Sequence, residues 1–260
     1  MSDALILRED RADGLTTLTL NRPAQFNSLS VAVLTALQAE LDAIAASDSV
    51  RVVVIAGAGK AFCAGHDLKE MRANPDKASM QALFRQCGAL MLTIQRLPQP
   101  VIARIHGIAT AAGCQLVSMC DLGVAADVAK FAVSGINVGL FCSTPAVGLA
   151  RNLGRKQALE MLLTGDFINA EEARARGLIN RVVPADQLDA EVEKLVQSIL
   201  AKSPVAIRTG KGMFYKQLEM DIGAAYDYAA EVMACNMMAA DAGEGIDAFI
   251  AKRKPEYVGR

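Results

Sequence analysis

The 260-residue chain carries 27 basic and 28 acidic residues, for a formal net charge of −1. Charge so nearly cancelled and interspersed leaves no broad electrostatic footprint for nucleic acid or an anionic membrane, so neither is an expected partner. Hydrophobic residues at 52% and charged residues at 21% exclude general disorder and leave apolar surface to bury between subunits.

An acid at Asp3 and a short apolar run ahead of Arg8 make neither a secretion signal nor a membrane span. The six cysteines, Cys63, Cys87, Cys114, Cys120, Cys142 and Cys235, lack zinc-ribbon and redox-pair spacing and sit among apolar or small residues. They read as reduced core thiols in a reducing compartment, with the cytoplasm as the expected location.

Residues 15–20 alternate apolar and Thr side chains and predict a strand, hairpinned to residues 5–8 across Asp13-Gly14. Val31, Leu34, Leu37, Leu41 and Ile44 recur at three or four, the stripe of an amphipathic helix capped by Ser30. Residues 51–56 form a short apolar run ending in glycines, and 101–105 repeat the arrangement before His106-Gly107. Both predict buried strands. Further strands are expected at 122–126 and 131–133, then helices at 156–163, 171–176 and 187–202 and a mostly helical tail. The expected division is a core over 1–200 and a helical region over 201–260.

Two segments can carry chemistry. Residues 60–70 lie just beyond a buried strand, where small residues let the backbone approach a ligand and free N–H groups open the next helix. Residues 107–115 again run from a strand end through small residues into an apolar helix. By composition alone, both are equally tight turns chosen for packing.

The first segment resembles the oxyanion motif of the crotonase (enoyl-CoA hydratase/isomerase) superfamily, and the second resembles that family's Gly-rich helix start. Residues 21–23 and 249–255 match its terminal signatures, and all four occur in the family's order. The resemblance implies an α/β fold: a crotonase (ClpP-like) spiral of ββα units with C-terminal helices that build trimers or dimers of trimers. It implies an acyl-CoA substrate and a lyase-type activity, with coenzyme A entering only as part of the substrate and no covalently bound cofactor. Residues 137–145 and 214–218 are similar to the branch named for enoyl-CoA hydratase domain-containing protein 3.

Carried across by position, the backbone amides of His66 and Ala112 would hold the thioester oxygen. Arg22, Ala64, His66, Asp67, Leu68 and Lys69 would line the coenzyme A path, and Phe249 and Lys252 would reach a neighbouring subunit's coenzyme A. The departures are as informative. Where hydratases carry two glutamates this chain has Gln115 and Gly135, and no Asp or Glu occurs from residue 128 to 159. An amide cannot accept and release a proton near neutral pH.

Several alternatives stay open. His66 is a base, a substrate-orienting group or a packed ring, and the Gly-His-Asp run also resembles methylmalonyl-CoA decarboxylases. Asp67 reads as a turn cap rather than a base. Cys142 is a thioester nucleophile or a buried neutral thiol. Cys63 with His66 makes too poor a ligand set, and no metal is expected. His106 reads as a structural histidine, and Met233, Met237 and Met238 as subunit-interface core. Enolate chemistry, acyl-CoA binding without turnover, and hydration by a displaced base all fit the sequence.

Overall fold

The computed structural model describes residues 4–260, so Asp3 lies outside the described residues. The predicted hairpin forms and extends further than expected: β1 (Ile6–Asp10) runs antiparallel to β2 (Leu15–Leu20), with Ile6 opposite Leu20 and Asp10 opposite Thr16. Helix α1 (Val31–Ala45) follows, and the Ser30 hydroxyl accepts from the Val33 amide at 3.3 Å as its N-cap. Its Leu34, Leu37, Leu41 and Ile44 are completely buried, and each contributes roughly 1.5–3 kcal/mol by leaving water.

Strand β3 (Val52–Gly57) is buried on both faces, which is why it reads as a continuous apolar run. Val53 and Ile55 join the cluster that contains the α1 leucines, while Val52 and Val54 join a second cluster behind the sheet. Next come β4 (Ala61–Cys63), the short α2 (Leu68–Ala73) and the long α3 (Lys77–Arg96). The pattern of β5 (Val101–Ile105), β6 (Ile108–Thr110) and α4 (Ala112–Met119) repeats it, as do β7 (Leu122–Ala126) and β8 (Lys130–Ala132). Then come α5 (Ser143–Asn152), α6 (Arg155–Thr164), β9 (Ile168–Asn169), α7 (Ala170–Arg176), β10 (Arg181–Val183) and α8 (Leu188–Leu200).

These strands make two sheets, a six-stranded one in the order β1-β2-β3-β5-β7-β10 and a four-stranded one in the order β4-β6-β8-β9. Each turn of the chain lays one strand in each sheet before a helix returns it. This is the spiral of ββα units that the resemblance implied, and the smaller sheet was not anticipated. Leu188, Val192 and Val196 of α8 cover the back of the larger sheet against Val52 and Val54.

The tail consists of α9 (Pro204–Gln217), α10 (Ile222–Met237) and α11 (Ala240–Ile250). A buried polar knot ties α9 to the core. Lys211 Nζ donates to the carbonyls of Ile94 and Gln99 at 3.0 and 2.9 Å and to Asp121 Oδ2 at 2.6 Å. Tyr215 donates to Asp121 Oδ1 at 2.8 Å, and the Val101 amide donates to Oδ2 at 2.7 Å. Burial lowers the Lys211 pKa, opposed by Asp121. By contrast no residue of α9 or α10 is fully buried, and Met233 and Met238 are 71% and 81% exposed. Cys235 is exposed too, which corrects the expectation that all six cysteines are core thiols. It sits on a helix several of whose apolar side chains, Ile222, Tyr226, Met233 and Met237 among them, are left exposed by the chain. Among the described residues no helix is long and apolar enough to cross a membrane.

Removing the ammonium leaves a buried carboxylate without its ion partner. Lys211→Met is expected to destabilise the protein by about 3–5 kcal/mol, read from the shift in its urea unfolding midpoint. A change under about 1 kcal/mol, the scale of an exposed pair, would show that the knot is dispensable.

Candidate active site

Two chain bends meet because the strands ahead of them pair. β4 lies parallel to β6, with Ala61 opposite Ile108 and Cys63 opposite Ala109, so both segments leave the smaller sheet on the same side. Glycines set the closeness. A Cβ on Gly65 (φ +90°) would fall 2.8 Å from the Ala111 Cβ and 3.1 Å from the Ala112 nitrogen. One on Gly113 would fall 2.1 Å from the Cys63 carbonyl oxygen. Neither bend tolerates a side chain at these places without moving the other.

The first bend is held by Leu29, whose amide donates to the Gly65 carbonyl at 2.8 Å and whose carbonyl accepts from Asp67 at 3.4 Å. In that parallel bridge His66 is the central residue, so its own N–H points away from Leu29. The second bend turns at Ala111, with φ 50° and ψ −121°, a conformation that costs a residue with a side chain about 1–3 kcal/mol. The Ala111 amide donates to the Ala132 carbonyl at 3.0 Å, while α4 opens without a side-chain cap. Among the described residues the amides of His66 and Ala112 donate to no backbone carbonyl.

A cavity of about 270 Å³ lies over both bends, lined by Ala64, His66 and Leu68 on one side and Ala111 and Ala112 on the other. Met71, Phe84, Phe141 and Cys142 complete its apolar walls. Ser134 also lines it, sharing a 2.8 Å hydrogen bond with Thr110. Donors preorganised in a pocket that excludes water are what a developing oxyanion requires.

The His66 ring takes a passive place. Nδ1 lies 3.3 Å from the Leu29 carbonyl oxygen, which can only accept, so the proton sits on Nδ1. Nε2 is buried with no partner, and the ring meets Phe84 edge-on at 5.5 Å. Burial lowers its pKa below the ordinary 6.5, opposed by the Leu29 contact and the charge of Glu70, so the ring is neutral at pH 7. His106 is comparable, with Nε2 3.0 Å from the Gly59 carbonyl.

The carboxylates nearby are occupied elsewhere. Asp67 caps α2, accepting from the amides of Lys69 and Glu70 at 3.1 and 3.3 Å, and receives Arg22 at 3.3 Å. Burial pushes its pKa up, and these donors outweigh that and hold it low. Glu70 accepts from the Val31 amide at 3.0 Å. Neither lines the cavity, and Arg22, Lys69, Phe249 and Lys252 do not line it either.

Gln115 is buried outside the cavity lining, and its Oε1 lies 4.0 Å from the Cys87 sulfur. Gly135 does line the cavity, but a Cβ there would fall 2.6 Å from the Leu140 carbonyl oxygen and 2.7 Å from the Cys142 sulfur. The position is filled as well as bare. Burial raises the Cys142 pKa and keeps the thiol protonated, opposed by the Gly135 amide.

The chain is therefore an α/β spiral protein whose two strand-end bends jointly floor one apolar cavity. The enoyl-CoA hydratase/isomerase family model matches residues 10–260, and the chain belongs to that family. It is 44% identical over 245 residues to the rat enoyl-CoA hydratase domain-containing protein 3, mitochondrial, covering 94% of this chain and 82% of the relative. The solved structure of human enoyl Coenzyme A hydratase domain-containing protein 3 superposes with a TM-score of 0.95 at 42% identity, covering 98% of this chain and 100% of that one. An enoyl-CoA hydratase structure from Mycobacterium smegmatis gives a TM-score of 0.97 at 58% identity, covering 98% and 99%.

The rat, mouse and human relatives are all named mitochondrial, which overturns the expectation of a cytoplasmic protein. That expectation rested on thiols, and reduced buried thiols require only a reducing surrounding, which does not single out the cytosol.

Gly65→Ala tests the contact between the bends. Its methyl is expected to strain the backbone and part the two segments, destabilising the protein by about 1–3 kcal/mol in thermal unfolding. An unchanged unfolding temperature would show that the bends do not depend on this approach.

Proposed function

We propose that the chain binds an acyl-CoA thioester, with the carbonyl oxygen held between the amides of His66 and Ala112, and carries out enolate-type chemistry other than efficient hydration. The observation that carries this reading is the pair of backbone amides without backbone acceptors at two touching bends under one cavity. As negative charge develops on the oxygen, each donor supplies roughly 3–4 kcal/mol. Lyase-type activity belongs to this proposal. Hydration itself needs a positioned acid and base, and the cavity offers Gly135 and a protonated Cys142 while Gln115 is not in its lining.

Binding without turnover is the second reading, favoured by a cavity whose two titratable side chains, His66 and Cys142, are held neutral by burial. Decarboxylation of a carboxylated acyl group fits less well, since its carboxylate would meet no cationic side chain in the cavity lining.

Crotonyl-CoA turnover tests the absence of efficient hydration that these readings share. The expected hydration rate is at least about 10²–10⁴ below that of an enzyme with a positioned acid and base, with thioester binding retained. Gln115→Glu alone is expected to leave it low because position 135 stays bare. Fast hydration by the unaltered protein would revive a displaced base and overturn the reading.

The exposed apolar faces of the tail support assembly of residues 201–260 into trimers or pairs of trimers. In this assembly Phe249, 85% exposed, and Lys252 would serve a neighbouring subunit's coenzyme A. Sedimentation is expected to give a mass of three or six chains; a monomer would contradict this role for the tail.

A further inference from the structure

A hollow of about 240 Å³ opens on the seam between core and tail, among the end of α1, the turn ahead of β5, the end of α8 and the first turns of α9. Its lining has no residue in common with the cavity over the two bends, so its role is independent of the thioester reading. The polar residues that line it are Ser47, Asp48, Arg51, Gln99 and Arg208.

Three of these residues have needs that the chain leaves unmet. Gln99 is only 6% exposed and spends its amide nitrogen on the carbonyls of Ile44 and Ser47, at 3.0 and 3.3 Å, while its Oε1 is buried without a partner. A buried acceptor left so costs about 1–3 kcal/mol. Arg51 donates to neutral groups, the carbonyls of Leu200 and Lys202 at 3.4 and 2.7 Å. Burial lowers its pKa, opposed by the charge of Asp241, and that carboxylate is already held by the Ser203 hydroxyl and the amides of Val258 and Gly259. Arg208 is exposed, and among the described residues neither arginine forms an ion pair.

Two unpaired guanidinium groups in one hollow attract an anion, and the forked donors of arginine match the oxygens of a phosphate. The positive dipole end of α9, which begins at Pro204 in the lining, acts in the same direction. Gln99 asks for more than charge, because its free acceptor needs an O–H or N–H from the ligand. Asp48 in the same lining likewise favours a ligand that carries a donor beside its anion. A protonated phosphate, or a phosphomonoester with hydroxyls on its alcohol part, meets both demands. Sulfate has the same shape and charge but no proton at neutral pH, and it meets only the first.

We propose that this hollow binds a phosphate group, free or as a small hydroxylated phosphomonoester, with Arg51 and Arg208 on its charged oxygens and Gln99 accepting from a ligand hydroxyl. Arg208 belongs to the tail, whereas Arg51 and Gln99 belong to the core, so the ligand closes the seam between them.

The test is calorimetric titration of the full chain with inorganic phosphate, sulfate and glycerol phosphate, at an ionic strength held constant with sodium chloride. Phosphate is expected to saturate one site per chain with a dissociation constant of about 1 mM or tighter. Sulfate is expected to bind about five- to ten-fold more weakly, the worth of the lost hydrogen bond. Arg208→Gln removes an exposed guanidinium with no partner in the fold and is expected to weaken phosphate at least about ten-fold. Arg155→Gln removes the same charge from an exposed position of α6 outside the lining and is expected to change nothing.

Titrations that do not saturate, or equal weakening by the two arginine variants, would overturn the site. Sulfate binding as tightly as phosphate would overturn the part given to Gln99. Glycerol phosphate binding more tightly than inorganic phosphate supports a phosphomonoester as the occupant, and the reverse order supports free phosphate.

Discussion

The contact between two bends, Gly65 against Ala111 and Gly113 against Cys63, is the constraint from which the rest of the site follows. Two three-residue strands in parallel bring the bends side by side, and the missing Cβ at each glycine lets backbone touch backbone. The strained turn at Ala111 persists because its amide is tied to Ala132 of the neighbouring strand. A backbone conformation that costs about 1–3 kcal/mol survives only where the surroundings overdetermine it. Here it starts α4 at the cavity wall, where among the described residues the first helical amide donates to no backbone carbonyl.

The same cavity is defined by what its walls cannot do. Its two titratable side chains are driven to their neutral forms by burial, and the acids in its vicinity are committed to helix caps and to Arg22. The loss of a carboxylate at position 135 is also more than a substitution. The chain from Leu140 to Cys142 has closed onto Gly135, so a longer side chain has nowhere to go unless that segment withdraws. Polarisation of a carbonyl by main-chain donors survives such losses, because it needs no titratable group. Proton transfer to or from water does not survive them.

What the sequence made legible follows the length and regularity of each element. The α1 stripe with Ser30 as its cap, the doubly buried β3 and the repeated strand-to-helix bends were all readable, since periodicity and end signals accumulate over many residues. β4, β6 and β9 were not readable, because two or three residues carry no period, and the smaller sheet went unseen with them. The sequence nevertheless singled out both bends through their small residues. It placed Gln115 in the site by position, while the structure buries that side chain outside the cavity lining. The Lys211–Asp121–Tyr215 knot left no trace in the sequence, since its members lie on separate elements and each looks like an ordinary surface residue. Only the fold brings them together.

That knot also shows why the tail and the site are mechanically one structure. Lys211 of α9 grips the carbonyl of Ile94 near the end of α3, and α3 carries Phe84 into the cavity. The same helix places Cys87 against Gln115 of α4. Asp121, the anion at the centre of the knot, also accepts from Val101 at the start of β5, the strand that leads into β6 and the second bend. A rigid twenty-residue helix therefore runs from the tail's anchor to the cavity wall. Since buried ion pairs hold best where every remaining donor and acceptor is satisfied, as at Lys211, the anchor fixes that helix end.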